Sequence, residues 1–393
     1  IIATVFVVVV IGGMGSIVGA FLAAVIISEL NAFGILIFPK ITLVLMFLVM
    51  VVVLVIRPYG ILGKPETQTE KPGGELESIT QSPGRRALFG FITLLGALVV
   101  LPFVVQEFYL VLLTEVFVFA LFAASLHLIM GNGGMVSFGH AAYFGLGAYG
   151  AGIALVYFNW PMEAALLAAP VIAVAGATVF GWFCVRLSGV YMAMLSLAFA
   201  QIVWSVVFQW TEMTGGEDGL VGIWPAEWLS SRVAFYYLTL ALCTACVLVI
   251  WRIIFAPFGF FLRAGRDSPI RLESIGVDLR RQRWFGFMIA GLFAGVAGGI
   301  YGFSKGVVDP STVDIPRSID ALMMVLIGGV HTLTGPLVGA VTFVVLEDRL
   351  ATFEFWRALF GGIIIVICVV MPAGIVGSTR QVISRFASKD VER

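Results

Sequence analysis

The sequence predicts an all-α, polytopic membrane protein: a helical bundle with a re-entrant broken hairpin near its C-terminus. Three observations support this. Of the 393 residues, 60% are hydrophobic and 12% are charged, whereas an ordinary soluble domain is about 25% charged. The apolar runs are about twenty residues long, as membrane-spanning helices are, whereas strands of a membrane barrel would alternate over about ten. One of the last runs is interrupted by glycine and proline, which free backbone groups that lipid cannot satisfy.

The chain opens with two apolar segments, 4–27 and 35–56, and then a polar stretch, 57–86. That stretch is rich in Pro, Gly, Glu and Thr, which is linker composition. Further apolar segments are approximately 88–105, 109–130, 135–157, 164–185, 190–210, 233–254, 284–303, 319–346 and 356–370. No methionine and no charged region precede the first run, so we expect residue 1 to be a cut inside a longer membrane protein.

The sequence repeats itself at its two ends. IGGMGSIVG at 11–19 matches IGGVHTLTG at 327–335, and RPYGILG at 57–63 matches MPAGIVG at 371–377. Two anchors in the same order, at nearly the same separation, indicate related domains, as is common in transporters. The predicted organisation is the C-terminal part of a first permease-like domain, a polar cytoplasmic linker, a complete second domain and a cytoplasmic tail, at 1–63, 64–86, 87–379 and 380–393.

The loop at 251–283 concentrates charge in a chain that is otherwise poor in it. It holds seven arginines and three acidic residues, and short basic loops stay on the cytoplasmic side of a membrane. Alternating the helices outward from this loop leaves the basic C-terminal tail inside only if 319–346 enters and returns, turning at 328–336. The alternative is one long kinked helix with an unusual tail orientation.

The same loop predicts a docking helix. Pro269 suits a first helical turn, and a helix over 270–279 would carry Ile270, Ile275 and Leu279 as a partial apolar stripe. Glu273 would face elsewhere. Such a helix is a docking surface for another protein, and the alternative is a solvated orientation loop.

A second candidate site lies at 131–150, the densest glycine region. Gly139, Gly145 and Gly147 allow close helix contact. Asn132, Ser137 and His140 add polar atoms near the start of a membrane helix. Packing alone explains the small residues, but it explains the histidine less well, because a polar ring in a membrane needs a partner. The candidate residues of a translocation pathway are Asn132, Ser137, His140, Tyr143, Gly328, Gly329 and Thr332.

Four stretches, taken in order, resemble one known family. They are GNGGMVSFGHAAYFGLGAYGAG at 131–152, VRLSGVYMAMLSLAFAQIVWSVV at 185–207 followed by TGGEDGLVGI, FGFFLRAGRDSPIRLESIGVDLRRQRWFGF at 258–287, and IDALMMVLIGGVHTLTGPLVGA at 319–340. Together they resemble the M-type permease subunit of branched-chain amino acid (Liv-type) ABC importers. Residues 1–63 resemble the C-terminal end of the partner H-type permease, which implies a fusion of the two types.

The resemblance implies a four-part importer in the bacterial inner membrane: two permeases, two cytoplasmic ATPases and an external or periplasmic solute-binding protein. Relatives also serve urea and short amides. The residues expected to couple to the ATPase are Arg263, Arg266, Pro269, Ile270, Glu273, Ile275, Gly276 and Leu279. The family's E-A-A-x-x-x-G loop is matched only loosely, because Ser and Ile replace the alanines and Gly276 stands closer to Glu273.

Several function classes are disfavoured. No G-x-x-x-x-G-K-[ST] phosphate loop is present, so ATP hydrolysis is expected in separate subunits, and we expect no cofactor. The net charge is zero and no basic tail suggests nucleic acid. The alternative function is an ion-coupled secondary transporter, but Glu115, Glu29 and His140 all lie near segment ends rather than in the bilayer centre. A membrane-embedded enzyme is a third hypothesis, against which no HExxH, no G-x-S-x-G and no paired carboxylates occur in the apolar segments.

Overall fold

A computed structural model of the protein describes residues 2–37, 42–63 and 85–379. The predicted linker, 64–86, and the predicted tail, 380–393, lie outside this part of the chain, except for residues 85 and 86. The described α-helices are α1 (Ile2–Gly12), α2 (Ile17–Ile37), α3 (Thr42–Ile56), α4 (Arg85–Val100), α5 (Glu107–Met130), α6 (His140–Val156), α7 (Met162–Cys184), α8 (Gly189–Gln209), α9 (Thr211–Thr214), α10 (Arg232–Ile254), α11 (Pro257–Asp267), α12 (Pro269–Ser274), α13 (Leu279–Lys305), α14 (Ile315–Gly328), α15 (Gly335–Leu350) and α16 (Trp356–Val370). Two-residue strands, β1 (Leu220–Val221) and β2 (Val307–Val308), pair antiparallel.

The predicted all-α membrane bundle is confirmed. Within the described ranges, seven helices are long and apolar enough to cross a membrane: Ile17–Leu36, Glu107–Met130, Met162–Cys184, Gly189–Gln209, Arg232–Ile254, Leu279–Lys305 and Trp356–Thr379. Shorter apolar helices lie at Val44–Ile56, Phe89–Phe103 and His140–Val156. The last of these spans only about 26 Å at 1.5 Å per residue, less than the roughly 30 Å of a hydrocarbon core.

The described residues form two compact units. The first comprises 2–37, 42–63, 125–223 and 261–322, and the second comprises 85–124, 224–260 and 323–379. Residues 42–56, from the predicted first domain, pack as α3 on α8 within the first unit. The predicted domain boundaries remain a prediction.

The core of the first unit is a close-packed group formed by α6, α7 and α13. Small residues four apart on α13 meet small residues four apart on α7, running in the opposite direction. The facing pairs are Gly291 with Ala177, Gly295 with Ala173, and Gly299 with Ala169. Gly147 of α6 lies against the backbone of Gly295. The close helix contact that the sequence predicted at Gly147 is therefore present. Close approach of this kind drives helix association in lipid, where apolar surface gives no preference for protein.

The second unit is held partly by two tyrosines of α10. Tyr236 is fully buried against Leu110 and Leu240. Its hydroxyl donates to the carbonyl oxygen of Leu98 at 2.9 Å, and the Tyr237 hydroxyl donates to the next carbonyl of α4 at 2.8 Å. These bonds satisfy backbone oxygens at the end of a short apolar helix, where they have no partner within the helix.

The first two segment predictions are wrong in their boundaries. Two helices, α1 and α2, replace the single segment predicted at 4–27. Gly13 and Gly15 lie between them with φ of +101° and +85°, a left-handed conformation that a helix cannot include and that glycine adopts without strain. The second predicted segment, 35–56, is also replaced, because α2 occupies its first residues and α3 forms the rest.

The predicted break near the C-terminus is present. Residues 329–334 form a non-helical turn between α14 and α15, slightly shorter than the predicted 328–336. A single kinked helix is therefore wrong. The two helices are about 21 and 24 Å long at 1.5 Å per residue, so neither reaches across a hydrocarbon core of roughly 30 Å alone.

The ends of α14 and α15 that flank this turn run antiparallel. A Cβ at Gly339 would overlap the carbonyl oxygen of Met324, and a Cβ at Gly328 would overlap that of Gly335. A step of four residues along α14, from Met324 to Gly328, thus matches a step of four residues back along α15, from Gly339 to Gly335. This pairing makes the break a hairpin, as the sequence predicted.

The two repeats fold alike. In the first unit, Gly60 has φ of +81° and a Cβ on it would lie 2.6 Å from the amide nitrogen of Gly13. In the second unit, the equivalent Gly374 has φ of +74°, and a Cβ on it would overlap the amide nitrogen of Gly329. Each repeat therefore closes its hairpin by laying a left-handed glycine against the glycine of the turn.

Candidate functional site

The glycine-rich segment 131–139, which carries Asn132 and Ser137, separates α5 from α6 and is not helical. The helix predicted over 135–157 is therefore shorter and begins at His140. The segment folds back on the end of α5, where the Met135 amide donates to the carbonyl oxygen of Ile129 at 3.0 Å. Irregular backbone at membrane depth is tolerated only where protein surrounds it or where it lines a cavity, and most residues of this segment are buried.

His140 is fully buried at the start of α6. Its Nε2 lies 2.8 Å from the Oγ of Ser125 on α5, which supplies the polar partner that a histidine ring needs in a membrane. Tyr143 meets the histidine ring edge-on, with 5.6 Å between ring centroids, and stacks on Phe180 at 6.2 Å. The structure thus brings two of the candidate pathway residues into one packed group.

Two serines anchor the backbone around the start of α6. The Phe138 amide donates to Ser196 Oγ of α8 at 3.1 Å, and the Ala141 amide donates to Ser318 Oγ of α14 at 2.9 Å. The second bond satisfies one of the first amides of a helix, which lack partners within the helix. Gly139 is packed so tightly that a Cβ there would overlap the Ser196 carbonyl oxygen. The position of segment 131–139 therefore depends on α8 and α14.

A further polar pair was missed by sequence reasoning. Gln201 Nε2 of α8 donates to Asp314 Oδ1 at 3.1 Å, and the same oxygen accepts from the Ile315 amide at 2.7 Å, at the start of α14. Gln201 is 6% exposed. An amide inside the apolar run 190–210 was the signal that could have found it, because polar groups inside membrane helices mark functional positions.

Two candidate pathway residues carry buried polar atoms that the surrounding protein does not satisfy. Across residues 2–37, 42–63 and 85–379, Ser137 Oγ and Asn132 Nδ2 have no hydrogen-bond partner. Ser137 is 0% exposed and Asn132 is 6% exposed. Buried polar groups usually have a partner, so these two atoms are free to hydrogen-bond a water molecule or a solute.

The loop that contains α11 and α12 contacts this segment directly. Arg266 Nη1 of α11 donates to the carbonyl oxygen of Gly131 at 2.6 Å. Its aliphatic stem covers Gly134, where a Cβ would lie 2.7 Å from Arg266 Cγ. Arg266 Nε is also 2.9 Å from Asp267 Oδ1. The two stretches that the sequence singled out separately are therefore joined by one side chain.

The neighbouring Arg263 is half-buried on the same helix. Desolvation lowers the pKa of its guanidinium, the positive charge of Arg266 lowers that pKa further, and Asp267 acts in the opposite direction. An arginine side chain stays protonated far above neutral pH, so Arg263 keeps its positive charge despite this lowering of its pKa.

The docking helix predicted over 270–279 is wrong in length. The helix α12 ends at Ser274, and Gly276 follows with φ of +85°, which terminates a helix as a left-handed cap. Leu279 belongs to α13 and is 5% exposed, so it cannot be part of an exposed stripe. A Cβ at Gly265 of α11 would touch side-chain atoms of both Leu279 and Leu272. These contacts hold α11, α12 and the start of α13 together.

The remaining part of the predicted stripe is exposed. Ile270 is 68% exposed and Ile275 is 70% exposed, and Glu273 is exposed between them. Pro269 occupies the first turn of α12, as predicted. Two isoleucines and a carboxylate thus face away from the rest of the chain around the end of this short helix.

The other candidate pathway residues lie in the second unit, at the α14–α15 turn. Gly328 ends α14, and Gly329 follows with φ of +116°. Thr332 is 7% exposed, and its hydroxyl donates to the Gly329 carbonyl oxygen at 3.0 Å. These residues shape the turn of the hairpin.

The described ranges contain no group of three or more His, Cys, Asp or Glu side chains that could hold a metal ion. The cysteines with CxxC spacing, Cys243 and Cys246, both lie in α10 with free thiols.

Comparison with known proteins gives a consistent result. The sequence model of the family described as "Branched-chain amino acid transport system / permease component" matches residues 108–368. The high-affinity branched-chain amino acid transport system permease protein LivM of Escherichia coli (strain K12) is 27% identical over 334 residues, 78% of each chain.

Other relatives are similar over different shares of the chain. The permease protein LivH of the corresponding system of Salmonella typhimurium is 23% identical over 283 residues, 66% of this chain and 91% of its own. The guanosine ABC transporter permease protein NupQ of Bacillus subtilis is 36% identical over 66 residues, 16% of this chain and 21% of its own. No solved structure matches this chain.

Proposed function

This chain belongs to the branched-chain amino acid transport system permease family and is a permease of an ABC importer in the bacterial inner membrane, and we propose that it translocates branched-chain amino acids inward. The proposed solute rests on the similarity to branched-chain amino acid permeases. The observation that carries the proposed ATP-driven mechanism is the hydrogen bond from Arg266 to the Gly131 carbonyl oxygen. This bond connects an exposed loop to a buried glycine-rich segment, which is the connection that an ATP-driven permease needs.

The proposed input is a rigid-body push on the α11–α12 loop from a cytoplasmic ATPase subunit. Ile270 and Ile275 would be buried in a groove of the ATPase, and Glu273 would set the register by charge complementarity at the rim. Burying one isoleucine contributes about 1.5–3 kcal/mol. The packing of Leu272 and Leu279 against Gly265 supports movement of the loop as one body.

The proposed output is a change in segment 131–139. Arg266 would transmit displacement to Gly131, and the rest of the segment is held by Ser196 and Ser318 at the start of α6. The amides of Gly131, Gly133 and Gly134 still donate to the last carbonyls of α5, and beyond them the segment leaves the helix before α6 begins. A short non-helical segment tied at both ends would act as a hinge. Its movement would open and close access to the polar atoms beside it.

The proposed pathway uses the polar atoms that the protein leaves without partners. The Ser137 hydroxyl would donate or accept a hydrogen bond, and Asn132 Nδ2 would donate one, to an amino acid that crosses the permease. His140 and Tyr143 would hold the start of α6, where the segment ends, against α5 and α7. Gly328, Gly329 and Thr332 would form the corresponding turn of the re-entrant hairpin.

We further propose that 1–63 is the C-terminal part of an H-type permease domain, 64–86 a cytoplasmic linker, 87–379 a complete M-type domain and 380–393 a cytoplasmic tail. Two hairpins with the same glycine contacts support this division. The complete importer would add two ATPase subunits, a second permease and an external solute-binding protein. This chain would act as a transport subunit and not as an enzyme.

The test is ATP-dependent uptake of labelled leucine in proteoliposomes that contain the assembled importer and its binding protein. We expect uptake that needs ATP and persists with an ionophore, with competition by isoleucine and valine. Uptake that needs an ion gradient and no ATP would establish the ion-coupled alternative. Competition by urea or acetamide would indicate that the solute belongs to the urea and short-amide class instead.

A further inference from the structure

The helices α3 and α16 are equivalent in the two repeats. Each has 15 residues, and each is followed by the left-handed glycine that closes its hairpin, Gly60 or Gly374. In the first unit α3 packs extensively on α8, and Tyr59 beyond α3 meets Tyr191 of α8 edge-on, at 5.7 Å between ring centroids. The first repeat therefore has a helix partner in addition to its own hairpin.

One face of α3 is covered, and we call it the seam face. It carries Phe47, Val51 and Leu54, which lie on one side of the helix at spacings of four and three. Phe47 is 4% exposed, Leu54 is 0% exposed and Val51 is half-buried. Val52, which points about 100° away from Val51 around the helix axis, is 46% exposed. The edge of the seam face therefore lies between Val51 and Val52.

The seam face of α16 is more open. Gly361, Ile365 and Cys368 stand where α3 has Phe47, Val51 and Leu54. Ile365 is 64% exposed, whereas Gly361 and Cys368 are half-buried. Beside them, Val366 is 59% exposed, similar to its equivalent on α3. The difference between the repeats is therefore concentrated on the face that, in the first repeat, is covered.

We propose that the seam face of α16 binds the α8-equivalent helix of an H-type permease domain, a deduction that rests on the proposed function. In this chain α3, from the hairpin that resembles an H-type permease, packs on α8 of the M-type domain. By the same relationship, α16 of the M-type hairpin should pack on the helix of an H-type domain that corresponds to α8. A second copy of this chain does not fit, because its own α8 is already covered by α3. H-type relatives are similar to this chain over 91% of their length, so most of their helices have counterparts here.

The chemistry of the α16 seam face further specifies the occupant. Gly361 and Cys368 are much smaller than the Phe47 and Leu54 that they replace. A helix that packs here must therefore approach more closely than α8 approaches α3, or present bulkier apolar side chains. No charged residue lies between positions 358 and 370, so the contact is made by shape and packing.

The test is site-specific photo-crosslinking in membranes that contain the assembled importer. A benzophenone side chain replaces Ile365 in one variant and Val366 in the matched control, because the equivalent of Val366 stays exposed in the first repeat. We expect the yield of crosslinked adduct with the partner H-type permease domain to be at least fivefold higher from position 365 than from position 366. Equal yields, adducts with lipid alone or adducts with a second copy of this chain would overturn the proposal.

A second measurement uses the native Cys368 and needs no bulky substitution. In a Cys246→Ala chain, whose other two thiols are buried, the rate of labelling of Cys368 by a membrane-permeant maleimide is compared with and without the H-type domain. We expect at least fivefold protection, and unchanged labelling would contradict the proposal. ATP-driven leucine uptake in the same membranes separates the two conclusions, since normal uptake with no protection leaves the proposed function intact.

Discussion

Arg266 Nη1 on α11 and the carbonyl oxygen of Gly131, after α5, are 2.6 Å apart and form a hydrogen bond. These residues are separated by 135 positions in sequence. The bond joins the loop that carries the exposed Ile270 and Ile275 to the segment that carries Ser137. The first two predictions below test this connection, and the next two test the packing at the start of α6 and within the second hairpin.

Replacing Arg266 with glutamine should weaken coupling without removing ATPase docking. A hydrogen bond from a charged group contributes about 1.5–3 kcal/mol, and about 1.4 kcal/mol changes a rate tenfold. ATP-driven uptake should therefore fall by about one to two orders of magnitude. The purified complex should keep its ATPase subunits. The control is Arg280→Gln, at an exposed arginine in the first turn of α13. Equal uptake by both variants would show that the Arg266 bond transmits nothing.

Replacing Gly276 with tryptophan should block docking of the ATPase at the end of α12. No atom lies within 4 Å of a Cβ at this position, so the added ring would project from the exposed surface rather than into the core. Uptake and solute-stimulated ATP hydrolysis should fall together. A side chain at φ of +85° costs about 1–2 kcal/mol of stability, so the melting temperature should drop moderately while the complex stays folded and inserted. Gly276→Asn is the matched control, because asparagine tolerates positive φ better than other residues and is small. Wild-type uptake by the tryptophan variant would leave the loop as an orientation loop only.

Ser125 and His140 should be energetically coupled. A double-mutant cycle of Ser125→Ala and His140→Ala, read by thermal unfolding in detergent, should give a coupling free energy of about 0.6–1.7 kcal/mol, the range found for polar contacts between membrane helices. Strictly additive effects of the two substitutions would mean that the 2.8 Å contact does not stabilise the start of α6.

Gly374→Ala should destabilise the second hairpin strongly. Alanine would be strained at φ of +74° and its Cβ would overlap the backbone of Gly329, so we expect a loss of about 2 kcal/mol or more. Gly362→Ala is the control on the adjacent helix α16, where no atom lies within 4 Å of a Cβ. That variant should unfold at the wild-type temperature or slightly above it, because alanine favours a helix. Equal melting temperatures for both variants would show that the glycine contact is unimportant.

Sequence reasoning located most long helices because each must bury about twenty residues in lipid, which leaves a plain composition signal. It failed at 4–27, where glycines inside an apolar run hide a turn. It also failed at 270–279, where the apolar Leu279 continued the pattern of α12 although it starts the next helix. Composition cannot distinguish these cases, because a left-handed glycine and a helical glycine are the same letter.

Local composition and spacing are enough to predict the all-α membrane class, the repeated hairpin and the two candidate sites at 131–150 and 251–283. The folded chain is needed to see that Arg266 bonds Gly131 and that Gln201 bonds Asp314. It is also needed to see that α3 packs on α8 while the equivalent face of α16 is more open. Such contacts join residues far apart in the chain, and their partners are chosen by how helices pack in three dimensions. No local pattern carries that information.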